Sequence, residues 1–108
     1  MSDATSEQML ETAIRLLVAA ASPRRIILFG SRARGDAVEN SDFDLLVVEE
    51  RVKSSRAEMV RLLEVLEPHG IPADVFVAGE DFYASWSLVP GNLLYEARAE
   101  GRVVYEAA

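Results

Sequence analysis

The sequence predicts an α/β fold, a small mixed β-sheet with helices packed on it. Two observations predict it. Stretches with apolar residues at helical spacing alternate with short, continuous apolar runs bounded by glycine, proline or charge. Half of the 108 residues are hydrophobic, which suits one globular core. That length predicts a single domain spanning residues 1–108.

Each element has its own signal. Thr5 and Gln8 form a capping-box pattern, and Met9, Leu10, Ala13, Ile14, Leu17 and Val18 recur at helical spacing until Pro23. Residues 26–29 are uniformly apolar between Arg25 and Gly30 and read as a buried strand. The polar stretch 30–40 leads into a second predicted strand over 42–48, acidic at its start and apolar at its end. Ser55 and Glu58 repeat the capping pattern before a helix with Met59, Leu62, Leu63 and Leu66 facing inward. After Pro68, His69 and Gly70 break that helix, residues 73–78 predict a third strand. A helical turn or two holds Phe82, Tyr83 and Trp86. A last helix over 93–100 is stopped by Gly101, and residues 103–105 form a short final strand.

Composition excludes several classes of function. With no cysteine, disulfides and thiolate metal sites are ruled out, so any metal must take oxygen ligands, which favours Mg2+ or Mn2+. A formal net charge of −7 disfavours direct binding of duplex nucleic acid, whose affinity depends on Lys and Arg. The acid could collect around a cation, or suit a basic protein partner. No apolar run approaches the length of a bilayer span, and the N-terminus lacks the apolar core of a signal peptide. A soluble, cytoplasmic protein is the expectation.

Four short features carry chemistry. Gly30-Ser31 follows a buried strand directly, where glycine permits a sharp turn and close approach of a ligand. Amides at the head of the next helix, with the Ser31 hydroxyl, suit an anion; an ordinary strand-to-helix turn is the plainer reading. Asp42 and Asp44 stand two apart at the start of a strand, so both carboxylates face one side. Side by side they repel unless a cation lies between them. A solvated strand start would also explain them, but the pair runs straight into Leu45-Leu46-Val47-Val48, at the mouth of the core. Asp74 interrupts the third apolar strand, where an unpaired carboxylate is costly. If the second and third strands are neighbours, it converges on the pair. Three carboxylates around two metals about 4 Å apart suit in-line nucleotidyl transfer, with Asp74 placed to accept a proton. Arg32 could stabilise charge on a phosphate or fix the loop; for Arg34 a salt bridge to Asp36 or Asp42 is the preferred reading. His69 reads as a surface histidine, and Phe82, Tyr83 and Trp86 as core cover before a base-stacking platform or a partner interface.

Together these residues resemble a known family. Gly30-Ser31, ten residues, then Asp42-Phe43-Asp44 is similar to the signature of the DNA polymerase beta-like nucleotidyltransferase superfamily. The fuller strings, 30–35 and 41–47, resemble its minimal nucleotidyltransferase (MNT) branch, as does the tail from Leu94 through Ala97, Gly101 and Val104. The resemblance implies a nucleotidyltransferase-like core. It implies that Gly30 and Ser31, with Arg32 beside them, bind the triphosphate of ATP, and that Asp42 and Asp44 bind two Mg2+ or Mn2+ ions. Asp74 would complete the catalytic metal site. It also implies a HEPN-domain partner, the chain acting as antitoxin of a toxin–antitoxin pair by moving AMP from ATP onto a hydroxyl of that partner. No separate acceptor-recognition domain is evident, which points to an acceptor delivered by a partner or to a homo-oligomer completing the site. Two other readings stand beside it: a catalytically silent nucleotide-binding module that neutralises a partner by complex formation, and an antibiotic-modifying enzyme, which the missing acceptor domain disfavours.

Overall fold

The computed structural model describes residues 3–37 and 41–108, and its elements follow the predicted order. Helix α1 (Asp3–Ala21) leads to strand β1 (Arg25–Phe29) and a single helical turn, α2 (Ser31–Arg34). Strand β2 (Phe43–Glu49) precedes helix α3 (Ser55–Leu66), a 3₁₀ turn (Glu67–His69) and strand β3 (Ala73–Gly79). Helices α4 (Glu80–Trp86) and α5 (Leu93–Glu100) and strand β4 (Arg102–Glu106) complete the chain.

Several expected boundaries shift. Thr5 lies inside α1, not at its cap. Helix α3 is capped one residue earlier than the pattern suggested: the Ser54 hydroxyl accepts from Ala57 N at 3.2 Å. Strand β2 begins at Phe43, so Asp42 stands just ahead of it.

The four strands lie in the order β3-β2-β1-β4. The pairs β1–β2 and β1–β4 are antiparallel, while β2–β3 is parallel, so the sheet is mixed as expected. The parallel pair follows from α3, which supplies the crossover that parallel neighbours need.

Both faces of the sheet are covered, which explains the uninterrupted apolar runs in its central strands. On one face Ile26, Leu28, Leu45, Val47, Val75 and Val77 meet Ala13 and Leu17 of α1 and Leu62 and Leu66 of α3. On the other, Ile27, Phe29, Leu46, Val48 and Ala78 meet Leu94 and Ala97 of α5. Burying each Leu, Ile or Val contributes about 1.5–3 kcal/mol. Because side chains alternate along a strand, Asp44 shares the α5 face with Leu46 and Val48, and Asp74 shares it with Phe76 and Ala78. The fold thereby brings two carboxylates to one end of one face.

Candidate active site

The turn after β1 depends on glycine. Gly30 has φ 75° and ψ −157°, a region open essentially to glycine alone. Its α-carbon also packs so tightly against the Asp44 carboxylate that a methyl group there would overlap Asp44 Oδ2. Gly30 O accepts from Ala33 N at 3.1 Å and Arg34 N at 3.0 Å, which winds α2. The amides of Ser31 and Arg32 head that turn, as the unpaired N–H groups of a helix start do. Gly35, in the left-handed region, closes the turn by donating to Ser31 O.

The two arginines of the turn have structural duties. Arg32 donates from Nε and Nη2 to Ser41 O at 2.9 and 2.6 Å, and its guanidinium lies 4.4 Å from the centre of the Phe43 ring. It ties α2 to the approach to β2, next to Asp42. These contacts give Arg32 a loop-fixing role, achieved through a carbonyl and a ring and not through a carboxylate. Arg34 bridges to Asp36 at 3.3 Å, as preferred, and to Glu100 at 3.4 Å, which joins the turn to the end of α5.

Asp44 and Asp74 come together at the edge of this turn. Asp44 and Asp74 are direct register partners across β2 and β3, with Phe29 opposite Asp44 on the other side. Asp44 is partly buried, and its carboxyl is pushed above the usual range, first by desolvation and then by the charges of Asp74 and Asp42; Arg34 opposes this. Both other aspartates therefore act electrostatically on Asp44. Asp74 is exposed, which corrects the expectation that it lies buried inside its strand. The third strand begins at Ala73, so Asp74 sits at its rim, where solvation removes the burial cost.

Among the described residues, no three acidic or histidine side chains are drawn close enough to form a ready-made metal cage. Charge influence reaches farther than ligation, and the three aspartates fall between those two ranges. Their chemistry still fits a hard divalent cation: all donors are carboxylate oxygens, and among the described residues Arg34 is the cation that opposes the upward push on Asp44.

A family model for the nucleotidyltransferase domain matches residues 10–97, a span that includes the Gly30 turn and all three aspartates. The chain belongs to the nucleotidyltransferase domain family. The nucleotidyltransferase domain is also similar to a crystal structure from Sulfolobus solfataricus assigned provisionally to nucleotidyltransferases. The TM-score is 0.66 at 18% identity, covering 92% of this chain and 78% of that one, a likeness of fold. No curated protein sequence matches the chain. Membership establishes nucleotidyl transfer as the general activity, with a nucleoside triphosphate as substrate. Among the described residues no helix is long and apolar enough to cross a membrane.

Two features of this nucleotidyltransferase domain were not visible in its sequence. Phe82 and Trp86 are not core cover: they are 58% and 47% exposed, with ring centres 6.0 Å apart, and only Tyr83 packs inward. At the far end of β2, Glu49 meets Glu58 of α3, and Arg61 grips Glu58 at 2.9 and 2.7 Å. No local pattern around Glu49 announces a partner on another element.

Proposed function

We propose that this chain transfers AMP from ATP to a hydroxyl of a HEPN-type partner protein, as the antitoxin of a toxin–antitoxin pair, with Mg2+ or Mn2+ at the three aspartates. The observation that carries the catalytic part is Asp44 held between the Gly30 turn and Asp74. A triphosphate seated at Gly30 and Ser31 lies directly against carboxylates that repel one another, where a divalent cation would relieve the repulsion.

In this reading Gly30 gives the phosphates close access, and Ser31 with the amides heading α2 binds them. Asp42 and Asp44 hold both metal ions, and Asp74 completes the catalytic one. Bound there, the metals neutralise phosphate charge and lower the proton affinity of the attacking hydroxyl. The acceptor oxygen forms a bond to the α-phosphorus, the bond to pyrophosphate breaks, and Asp74, exposed at the mouth, takes the hydroxyl proton. Arg32 keeps Ser41 and thus Asp42 in place beside the turn.

The exposed Phe82 and Trp86 favour a second reading, in which the chain neutralises its partner by binding alone. Incubating the chain with ATP, Mg2+ or Mn2+ and an adjacently encoded HEPN protein, then weighing both intact, separates the two. Addition of one AMP to the partner, lost in Asp44→Asn, is expected. A stable complex without mass change, unaltered by Asp42→Ala/Asp44→Ala, would establish the binding module instead.

A further inference from the structure

A second apolar surface lies on the same sheet face as the carboxylates and has no occupant in the fold. It is an open groove of about 410 Å³, with Leu46 and Phe76 in its floor, Phe82 and Trp86 on one wall and Leu93 and Leu94 on the other. Leu46 and Phe76 are each two residues beyond Asp44 and Asp74 on the same face, so the groove opens from the catalytic end of the sheet. Leu88 and Val89, between α4 and α5, are 60% and 43% exposed, and Val60 and Leu63 are exposed on α3, whose Met59 lines the groove. Contiguous exposed aromatic and aliphatic area of this kind marks an interaction site.

The surrounding charge selects the occupant. Asp81 directly precedes the lining residue Phe82, Asp74 stands two residues before the lining residue Phe76, and Glu64 and Glu67 share a helical stripe with Val60 and Leu63. All four acids are exposed, and none joins a salt bridge among the described residues. A second copy would bring acid against acid. A basic partner would meet complementary charge. The backbone around it selects the mode. Val75 in the edge strand β3 is only 2% exposed, main chain included, which leaves little free backbone there for an added strand. Side chains must enter the groove from a separate element, as the ridge of an amphipathic helix does.

We infer that the Phe82–Trp86 groove docks an amphipathic helix of a protein partner, apolar on its inserted ridge and flanked by Lys or Arg, and that this seats the acceptor hydroxyl next to Asp74. The inference rests on the proposed transfer for its purpose, but the binding itself does not require catalysis. Trp86, the chain's single tryptophan, reports on it directly.

The probe is a synthetic helix with Leu at i, i+3, i+4 and i+7, Lys on both flanks and one Tyr, titrated while Trp86 emission is followed. A saturable blue shift is expected. Phe82→Asp, and separately a peptide with Glu in place of Lys, should each weaken binding at least about tenfold. Phe82 is exposed, so its replacement leaves the core intact. Asp44→Asn should bind the peptide as the unaltered chain does, and peptide binding by the unaltered chain with no AMP transfer would count against the transfer reading alone. The inference is overturned if no shift occurs, or if the same residues scrambled around the helix bind equally. It is overturned too if ATP with Mg2+ alone shifts Trp86, making the groove a base site, or if raising the protein concentration alone does so, making it a self-association face.

Discussion

Strand β2 carries a partly buried carboxylate near each end, and the two ends treat it differently. Glu49 at one end is pushed up to about 8, by desolvation first and then by its hydrogen bond and charge with Glu58. There the fold supplies its own cation: Arg61 holds Glu58 in a two-pronged grip and brings it down to about 2. One carboxyl keeps a proton and its partner keeps its charge, although Glu49 Oε2 stays buried without a hydrogen-bond partner among the described residues. Asp44 at the other end is also raised by desolvation and by neighbouring carboxylates, yet the cation that opposes this, Arg34, is already committed to Asp36 and Glu100. An arginine of the fold answers the acid pair at one end, and in the proposed function a bound cation does so at the other. That difference separates a structural acid pair from a binding site.

Breaking the Asp44 end should have the largest effect. Asp44→Asn is expected to lower AMP transfer on the order of 10³-fold or more. Without metal it should leave the melting temperature unchanged or slightly higher. The sign follows from the raised carboxyl: the native state favours the neutral form, so ionisation of Asp44 costs stability as pH rises through its folded pKa. In the unaltered chain Mg2+ at about 100 times its Kd should add about 2.7 kcal/mol, and in the variant it should add nothing. Paired transfer assays and thermal melts with and without metal check both statements.

Gly30→Ala sharpens the comparison by moving Asp44 without removing it. The positive φ costs about 1–3 kcal/mol in any residue with a side chain, and the methyl must displace the Asp44 carboxylate. Transfer should fall by about 100-fold, as misplacing a reacting group does. Chemical denaturation should show the stability loss at the same time.

The smallest effect belongs to the settled end. Glu49 is raised from an ordinary 4.5 to about 8, so its contribution to stability is fully present below about 4.5 and is lost as pH rises through 8. Glu58 behaves oppositely, contributing above 4.5 and losing that contribution as pH falls through about 2. Glu49→Gln should therefore flatten the alkaline fall in stability between pH 5 and 8. The change should stay below about 1 kcal/mol, since solvent screens this pair, and nucleotide transfer should not alter. Denaturation at several pH values reads it out.

How far these features could be seen in advance follows from their range along the chain. The strands were legible because apolar runs buried on both faces leave a local trace, and the last helix was placed at residues 93–100 as found. Gly30, Ser31, Asp42 and Asp44 were legible because the turn and the strand start are neighbours in sequence. Asp74 was legible only conditionally, since its approach to Asp44 depends on a parallel register that α3 creates. Tertiary partners left no local trace. The grip of Arg32 on Ser41 and Phe43, the exposure of Phe82 and Trp86 at the molecular surface, and the meeting of Glu49 with Glu58 all join separate elements. Aromatic residues at helical spacing look the same whether they face a core or a groove.

The central claim is that the Asp44 end of β2 recruits a divalent cation and the Glu49 end does not. Paramagnetic Mn2+ added at substoichiometric amounts to isotope-labelled protein tests it most directly, by amide line broadening. Broadening should centre on Gly30, Ser31, Asp42, Asp44 and Asp74 and spare Glu49 and Glu58. Broadening centred on Glu49 and Glu58, or none that Asp44→Asn removes, would contradict the account.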